Sequence, residues 1–234
     1  MKKIAVIPAR FAATRFPGKL MQKIGDKTII RLVYENVQSL NLFDEVLVVT
    51  DNDNIVEEIQ SIGGNVKKSI IEHQSGSDRI AEAVADMDVD VVVNVQGDEP
   101  LLNSQIIVDF IKNALVLDST TIGVMKIEDE TEINSPTVVK VAISGNKLIY
   151  ASRSPIPFNR DGAHQTYFKH TGLYAFKKAG LKEFGQETGD LEDAEKVEIL
   201  RLLENRVIVR TVEVPKYGSA VDTPEDLERV RSEF

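Results

Sequence analysis

Three basic side chains stand close together in the stretch RFAATRFPGKL, which follows the first apolar run of the chain. They are Arg10, Arg15 and Lys19, and Gly18 beside them would let the backbone approach a bound group closely. Cations and backbone N–H groups gathered near a glycine are typical of sites that hold phosphates. The spacing does not fit the G-x-x-x-x-G-K-[ST] phosphate loop. The stretch therefore predicts a triphosphate-binding loop of another kind, or else three solvated surface cations.

Two carboxylates occupy positions where a metal ion could bind. Asp98, in QGDEP, comes directly after the apolar run VVVNV, and Asp222 precedes the stretch TPEDL. Magnesium prefers oxygen ligands and often rests on one or two carboxylates together with substrate phosphates. Taken separately, QGDEP is typical of an ordinary Gly-Asp turn, and Asp222 of a residue ahead of a helix cap. Each carboxylate is a weak signal by itself.

The stretch SGSDR opens a predicted helix and carries Ser77 and Arg79. The first turn of a helix has backbone N–H groups without intrahelical partners, and these groups attract anions. Together with Arg79 they could meet the oxygens of a nucleotide. A plain serine cap explains the same residues equally well.

The first half of the chain alternates short apolar runs with segments of helical periodicity. The predicted strands are Ile4–Ile7, Glu45–Thr50 and Val91–Val95, and the predicted helices are Thr28–Leu40, Ile55–Ile62 and Ser77–Met87. Strands that are apolar on both faces and alternate with helices are typical of a parallel sheet covered on both sides. Ligands of such sheets bind beyond the carboxyl ends of the strands. The loops after Ile7, Thr50 and Val95 should therefore lie along one edge.

From about Lys126 the pattern changes to that of antiparallel strands and loops. The predicted elements are the strands Val138–Ile143, Lys147–Tyr150 and Tyr167–Phe176, the loop Ser152–Gln165, the helix Glu192–Glu204 and a last helix capped by Thr223 with Pro224 in its first turn. We interpret the chain as one α/β domain in three parts. Residues 1–125 form the main part, residues 126–215 form a smaller mixed region over its edge, and the helix of residues 216–234 returns to the first part.

Bulk composition narrows the classes of function. The chain has 234 residues, no cysteine and a net charge of −9. The negative charge argues against general nucleic-acid binding, and the lack of cysteine excludes a disulfide frame, a thiolate zinc site and a cysteine nucleophile. We expect a cytoplasmic protein with no membrane partner, because no stretch approaches the roughly 18 to 20 apolar residues of a membrane span. The first apolar run is also too short for a secretion signal.

Taken together and in this order, the motifs resemble one family, the 3-deoxy-manno-octulosonate cytidylyltransferases, or CMP-Kdo synthetases. The matching stretches run from end to end of the chain: IPARFAATRFPGK, HQSGSDR, VNVQGDEP, SPTVVK, SRSPIPF, KHTGLYAF, LEDAEKVEILRLLE and VDTPEDLERV. The resemblance implies a Rossmann-like nucleotidyltransferase fold with a mostly parallel central sheet, helices on both faces and a smaller mixed region for sugar binding and dimerisation. It also implies a homodimer that joins CTP to an acidic eight-carbon sugar, Kdo, in lipopolysaccharide biosynthesis, with Mg²⁺ as cofactor.

The resemblance assigns roles to particular residues. The residues that it assigns to nucleotide binding are Arg10, Arg15, Lys19, Ser77 and Arg79. It assigns magnesium binding to Asp98 and Asp222, which form the catalytic set together with Lys19. The residues that it assigns to sugar binding are Gln96, Arg153, His170, Tyr174 and Glu198. No side chain stands out as a general base, so we expect the metal to activate the sugar hydroxyl.

The second-half residues also allow structural interpretations. Without the family, His170 and Tyr174 on one face of a strand are typical of a packed core, and Glu192, Glu195 and Glu198 of a solvated helix face. The family usually has Ser-Gly-Thr-Glu-Arg where this chain has SGSDR, and a Gln where this chain has Ile199. Since losing a hydrogen-bonding group in a polar pocket alters discrimination, 8-amino-Kdo is an alternative substrate.

Two other classes of function stay open. A metal-dependent glycosyltransferase would also place carboxylates at strand ends, but it usually shows an Asp-x-Asp pair, where this chain has Asp98-Glu99-Pro100. A non-catalytic nucleotide-binding regulator would have no reason to keep both Asp98 and Asp222 beside a polar second pocket.

Overall fold

A computed structural model of the chain describes residues 1–11, 16–71, 73, 75–101, 103–162, 166–185, 187–215 and 220–234. Contacts divide the chain into two compact units. The first unit joins residues 1–109 with residues 217–234, and the second unit comprises residues 110–216. The first unit is therefore assembled from two stretches that are far apart in sequence.

Strands and α-helices alternate through the first unit and cluster by type in the second. The strands are β1 Lys3–Ala9, β2 Lys23–Ile24, β3 Lys27–Thr28, β4 Glu45–Thr50, β5 Asn65–Lys68, β6 Val91–Asn94, β7 Thr120–Lys126, β8 Lys140–Ser144, β9 Lys147–Ser152, β10 Phe168–Lys177 and β11 Val209–Glu213. The α-helices are α1 Ile29–Ser39, α2 Asp53–Ser61, α3 Gly76–Val84, α4 Ser104–Leu117, α5 Glu130–Asn134, α6 Lys178–Leu181, α7 Asp190–Glu195, α8 Ile199–Glu204 and α9 Pro224–Glu233. Short 3₁₀ turns cover Lys19–Met21 and Lys182–Gly185.

The first unit contains parallel strands in the order β5-β4-β1-β6. Ala9 at the end of β1 pairs with Thr50 at the end of β4, and Val6 pairs with Asn94 at the end of β6. The loops that follow these strands therefore leave the sheet at the same edge, as the sequence predicts. The strand interiors are apolar, and the side chains of Ile4 to Ile7 are fully buried, which fits a sheet covered on both sides.

The second unit contains a mixed sheet in the order β10-β7-β11-β9-β8. β7 and β11 run parallel, whereas β10 pairs antiparallel with both β7 and β8. β8 and β9 form the predicted hairpin, with Gly145 in the left-handed region at φ 60°. That conformation is easily adopted by glycine, which explains the turn.

The predicted helix Glu192–Glu204 is wrong as a single element, because the structure has two helices there, α7 and α8. They are separated at Lys196, whose φ of 52° lies in the left-handed region and ends α7. No element was predicted from the sequence for the stretches that form the strands β5, β7 and β11 and the helix α4. Among the described residues, no helix is long and apolar enough to cross a membrane.

Candidate functional site

In the first unit, one ammonium group lies between the two predicted metal ligands. The Lys19 Nζ atom is 2.6 Å from Oδ2 of Asp98 and 2.9 Å from Oδ1 of Asp222. Lys19 begins a 3₁₀ turn directly after Gly18, whose φ of 70° turns the chain into it. The Lys19 side chain is only 10% exposed, against 23% for Asp98 and 37% for Asp222. The fold thus brings together the three predicted catalytic residues, which are up to 203 positions apart.

The start of α9 fixes the position of Asp222. Thr223 caps the helix by accepting a hydrogen bond from Asp226 N, and Asp226 Oδ2 in return accepts from the backbone N–H of Thr223 and of Asp222. Such a capping box satisfies N–H groups that the helix leaves open. The backbone N–H of Val221 also donates to the Asp98 carbonyl oxygen, at 2.9 Å. The segment that carries Asp222 is therefore tied to the loop that carries Asp98.

Close backbone approach holds the loop after β6 against β1. A Cβ atom at Gly97 would lie 3.2 Å from the Pro8 carbonyl oxygen, so a larger residue would push the loop away. From the other side, Asn36 Nδ2 on α1 donates to the Pro100 carbonyl oxygen at 2.8 Å. The Asp98 carboxylate is thus presented by a loop that is fixed at both ends.

A third acidic group, Glu99, was not predicted as a site residue. Burial first, and then the nearby charges of Asp98 and Asp222, raise its pKa to about 8. Its Oε2 atom is enclosed and has no hydrogen-bond partner in the described part of the chain. At neutral pH Glu99 is therefore mostly protonated. Its position next to Asp98 is visible in the sequence, but its burial is not.

The charges around Lys19 suit a magnesium ion together with a triphosphate. Burial works against the charged form of Lys19, but the carboxylates of Asp98 and Asp222 outweigh it and raise the pKa of Lys19. Two carboxylates sharing one ammonium carry a net negative charge. Mg²⁺ commonly binds to one or two carboxylates and takes its other ligands from phosphates and water. Asp98 and Asp222 are the described residues that fit this role.

The other predicted nucleotide residues are placed differently. Arg79 is 97% buried, with Nη2 at 2.7 Å from Asp51 Oδ2 and Nη1 at 3.2 Å from Ser69 Oγ. Its charge therefore already has a partner at the end of β4, and it ties the ends of β4 and β5 to α3. Ser77 is fully buried in the first turn of α3. Arg10 is exposed just beyond β1, and Arg15 lies outside the described residues.

The predicted helix cap in SGSDR is confirmed. The Ser75 hydroxyl accepts a hydrogen bond from Asp78 N at 3.1 Å and donates to Asp78 Oδ2 at 2.6 Å. Gly76 lies against the ring of Pro8, where an added Cβ would be 3.4 Å from Cγ. The start of α3 is thereby held at the same sheet edge as the end of β1.

In the second unit, three of the predicted sugar-binding residues are neighbours. The rings of His170 and Tyr174 are 4.9 Å apart, edge to face, and the Tyr174 hydroxyl is hydrogen-bonded to Glu198. Burial, and then the Glu198 carboxylate, raises the pKa of Tyr174 well above its ordinary value. Burial lowers the pKa of His170 to about 4. His170 is therefore neutral near pH 7, and its enclosed Nε2 atom has no partner among the described residues.

The guanidinium of Arg153 is held by backbone carbonyl groups. Its Nε donates to the Glu195 carbonyl at 2.8 Å, its Nη1 to the Pro136 carbonyl at 2.8 Å and its Nη2 to the Lys196 carbonyl at 3.2 Å. These bonds use three of the five N–H donors of an arginine. Gln96, the remaining predicted sugar residue, is a partly exposed residue of the first unit, two positions after β6.

The acidic residues of α7 do not form the solvated face that their spacing alone indicates. Glu192 is buried and pairs with Arg201 through two bonds of 2.6 and 2.7 Å. Glu195 accepts hydrogen bonds from Ser152 Oγ at 2.6 Å and from Arg153 N at 2.8 Å. The solvated-face interpretation is therefore wrong for both, because packing against β9 and α8 overrides the local pattern. Ile199 is fully buried.

Comparison with known proteins decides the family. The sequence model of the family described as cytidylyltransferase matches residues 4–213. The chain belongs to the cytidylyltransferase family. Among its relatives are the 3-deoxy-manno-octulosonate cytidylyltransferases of Flavobacterium johnsoniae, 49% identical over 99% of this chain and 98% of the relative, and of Christiangramia forsetii, 45% identical over 97% and 95%. Identity at this level over the whole length places the chain among the 3-deoxy-manno-octulosonate cytidylyltransferases.

Solved structures agree with this assignment of the cytidylyltransferase. The structure of CMP:2-keto-3-deoxy-manno-octonic acid synthetase complexed with CTP has a TM-score of 0.93 and 33% identity, covering 100% of this chain and 98% of that one. The inositol-1-phosphate CTP transferase from T. maritima shares the fold at a TM-score of 0.71 and 15% identity, covering 99% and 94%. The predicted α/β nucleotidyltransferase fold and the predicted enzyme class are confirmed.

Proposed function

We propose that this cytidylyltransferase transfers CMP from CTP to Kdo and releases pyrophosphate, a reaction of lipopolysaccharide biosynthesis. The observation that carries the proposal is the meeting of Lys19, Asp98 and Asp222 in a chain 49% identical to a 3-deoxy-manno-octulosonate cytidylyltransferase. A regulator without catalysis has no need for that arrangement, and a glycosyltransferase would break a different bond.

The reaction is an attack by the anomeric hydroxyl of the sugar on the α-phosphorus of CTP. A bond forms between this oxygen and the α-phosphorus, the hydroxyl proton is released to solvent, and the bond to the bridging oxygen of the departing pyrophosphate breaks. Such chemistry needs positioning and neutralisation of charge more than covalent help from the protein. Lys19, one of the most buried cations of the first unit, would stabilise the charge that develops on pyrophosphate. Arg10 and Arg15 would bind the triphosphate.

Magnesium would bind to Asp98 and Asp222. When bound, it would offset repulsion between the two anionic substrates and lower the pKa of the attacking hydroxyl. The protein's own part is to hold both carboxylates in place through the capping box of α9 and the loop after β6. The described residues contain no group of three or more acidic or histidine side chains that could hold a metal, so phosphate oxygens would complete the ligand set.

The second unit supplies groups suited to an acidic, hydroxyl-rich sugar. Neutral His170, the Tyr174–Glu198 pair and the oriented guanidinium of Arg153 offer donors and acceptors for hydroxyl groups and a cation for a carboxylate. Gln96, which is also predicted to bind the sugar, stays a prediction. Arg79 and Ser77 would act on the nucleotide side by holding the edge of the sheet in shape.

A second candidate substrate is 8-amino-Kdo, for which Ile199 is the observation. The family usually has an amide at this position, and the buried isoleucine cannot offer a hydrogen bond. A change of this kind alters the choice of sugar more than the reaction, since polar groups discriminate strongly between substrates that can and cannot bond to them.

The deciding experiment measures pyrophosphate release from CTP with Kdo, 8-amino-Kdo and sialic acid in parallel. We expect release with Kdo or its 8-amino analogue, dependence on magnesium, and a CMP-sugar as the second product. Release of a free nucleoside diphosphate would indicate a glycosyltransferase instead. Binding of CTP without turnover on any of the three sugars would indicate a regulator. The same preparations, passed through size exclusion with light scattering, test the proposed homodimer, and cell fractionation tests the proposed cytoplasmic location.

A further inference from the structure

A fully buried lysine in the second unit has no role in the proposed reaction. Lys140, the first residue of β8, is 0% exposed. Its Nζ atom donates to the carbonyl oxygens of Ser135 at 2.7 Å and Val138 at 2.8 Å, and also to that of Arg153. An ammonium group has three N–H donors, so three carbonyl groups satisfy it completely. Buried lysines are rare unless paired. We therefore infer that a positively charged side chain is needed at this position.

The carbonyl groups around Lys140 belong to segments that also hold Arg153. The turn of residues 135–138 binds Lys140 through Ser135 and Val138, and it binds the Arg153 guanidinium through Pro136. The Arg153 carbonyl accepts from Lys140 while its side chain donates to Glu195 and Lys196. Lys140 thus fixes the backbone of the residue whose side chain reaches the end of α7.

A series of contacts within the second unit connects the end of α7 with the neighbour of Lys140. Glu198 follows the α7 terminus and is hydrogen-bonded to Tyr174, whose ring lies against His170. The backbone N–H of His170 donates to the Val139 carbonyl at 2.9 Å, directly beside Lys140. These contacts form a closed ring within the second unit, and its members include Arg153, His170, Tyr174 and Glu198. We call it the Lys140 ring.

We propose that Lys140 is a positioning residue for the sugar acid, holding Arg153 and the turn of residues 135–138 in the geometry in which the Lys140 ring binds the substrate. This inference rests on the proposed function. Lys140 itself is enclosed and touches no substrate. Its charge matters because a neutral side chain of the same shape leaves the three carbonyl groups around this buried position without their donor, and such groups find other partners by moving.

The first test replaces Lys140 with methionine and measures steady-state kinetics for each substrate separately. We expect KM for the sugar acid to rise by about tenfold or more, because a small displacement of binding groups has large effects. KM for CTP should stay within about twofold, since the residues assigned to CTP belong to the first unit. Lys147→Met is the matched control, because Lys147 lies exposed on the neighbouring strand β9; both KM values should be unchanged.

A purely structural role predicts a different result. A variant that is partly unfolded loses kcat in proportion to the folded fraction and leaves both KM values alone. Unchanged KM for the sugar in folded Lys140→Met overturns the proposal.

Chemical rescue tests the charge directly, since the chain has no cysteine. Lys140→Cys, alkylated in denaturant with 2-bromoethylamine and refolded, carries a side chain of nearly the same length as lysine with an ammonium end. Alkylation with 1-bromopropane gives a neutral side chain of the same length. We expect the amine form to restore KM for the sugar to within about threefold of the wild type taken through the same refolding, and the propyl form to leave it raised. Equal KM values for the two forms overturn the proposal.

Glu195→Gln provides a variant that tests the ring if Lys140→Met fails to fold. Glu195 is only partly buried, and its carboxylate accepts from Ser152 and Arg153 N. We expect KM for the sugar to rise by about threefold or more with KM for CTP unchanged, and no change in KM for the sugar overturns the proposal. Failure of the proposed function would instead show as wild-type protein that does not release pyrophosphate with any sugar.

Discussion

Lys19 is the residue whose surroundings most directly indicate catalysis. Its Nζ atom lies 2.6 Å from a carboxylate oxygen of Asp98 and 2.9 Å from one of Asp222, although these aspartates are 79 and 203 positions away from it in the sequence. The resemblance to the family was needed to predict all three members, because each carboxylate is a weak signal by itself. Their meeting depends on the return of the C-terminal helix to the first part, which was also predicted, but spacing gives no distance between them. Glu99 and Lys140 were not predicted, because what distinguishes them is burial, which a charged letter in a sequence does not show.

Asp98→Ala should abolish turnover and leave the protein folded. The change removes one of two carboxylates around Lys19 and one proposed magnesium ligand, so we expect the rate of pyrophosphate release to fall by about 10³-fold or more. Circular dichroism should be unchanged. Asp90→Ala is the control, since Asp90 lies before β6 and accepts a bond from Lys2 N; it should keep full activity. Normal turnover by folded Asp98→Ala would contradict the proposed metal-dependent scheme.

His170 should make stability depend on pH in a defined window. Burial lowers its pKa from 6.5 to about 4, so between these values the unfolded chain binds a proton that the folded chain does not. The stability contributed by neutral His170 is present above pH 6.5 and is lost as the pH falls through the window, by about 1.4 kcal/mol for each pH unit. Urea unfolding of wild type and His170→Gln at several pH values checks this. Parallel curves for the two proteins would show that the prediction is wrong.

At the scale of elements, apolar runs and helical periodicity predicted the strands β1, β4 and β6 and the helices between them. Helix α4 and strand β7 were not predicted, although the sequence carries a signal for each: Ile107, Phe110, Ile111 and Ala114 recur at helical spacing, and the polar pair Asp118-Ser119 separates the helix from the strand. The division of residues 190–204 into α7 and α8 was missed for another reason. The break occurs at Lys196, and a lysine gives no sequence signal for a left-handed backbone conformation.

That break offers a test of stability. Lys196 has a φ of 52°, a conformation that costs a residue other than glycine about 1 kcal/mol. Lys196→Gly should raise the free energy of unfolding by about 0.5 to 1 kcal/mol, and the melting temperature by roughly 1 to 4 °C. Lys196→Ala keeps the backbone cost and loses the exposed pair with Asp193, so it should not stabilise the protein. Equal melting temperatures for the two variants would contradict the account of this break.

At the scale of the whole molecule, the question is how a protein of net charge −9 binds two anions. The sequence predicts a triphosphate-binding loop that carries Arg10, Arg15 and Lys19. In the structure, the charge of Lys19 is already matched by Asp98 and Asp222, and that of Arg79 by Asp51. What remains on the nucleotide side is Arg10, together with Arg15 outside the described residues. Protein cations alone would therefore leave much of the charge of CTP uncompensated, which supports the proposed magnesium ion.

Binding of CTP should accordingly be weak without divalent ions. We expect the Kd for CTP measured by calorimetry to be about 30-fold or more higher in EDTA than in magnesium, a difference of about 2 kcal/mol in binding free energy. This difference is smaller than the Coulomb energy of about 4 kcal/mol between unit charges 4 Å apart at the protein surface. CTP also binds magnesium in solution, so the source of the effect must be separated. Asp98→Asn does this, because it removes a protein ligand while leaving the nucleotide's own ligands intact. If the dependence on magnesium is as large in Asp98→Asn as in the wild type, the ion belongs to the nucleotide alone; if Asp98→Asn loses most of it, the two aspartates hold the ion as proposed.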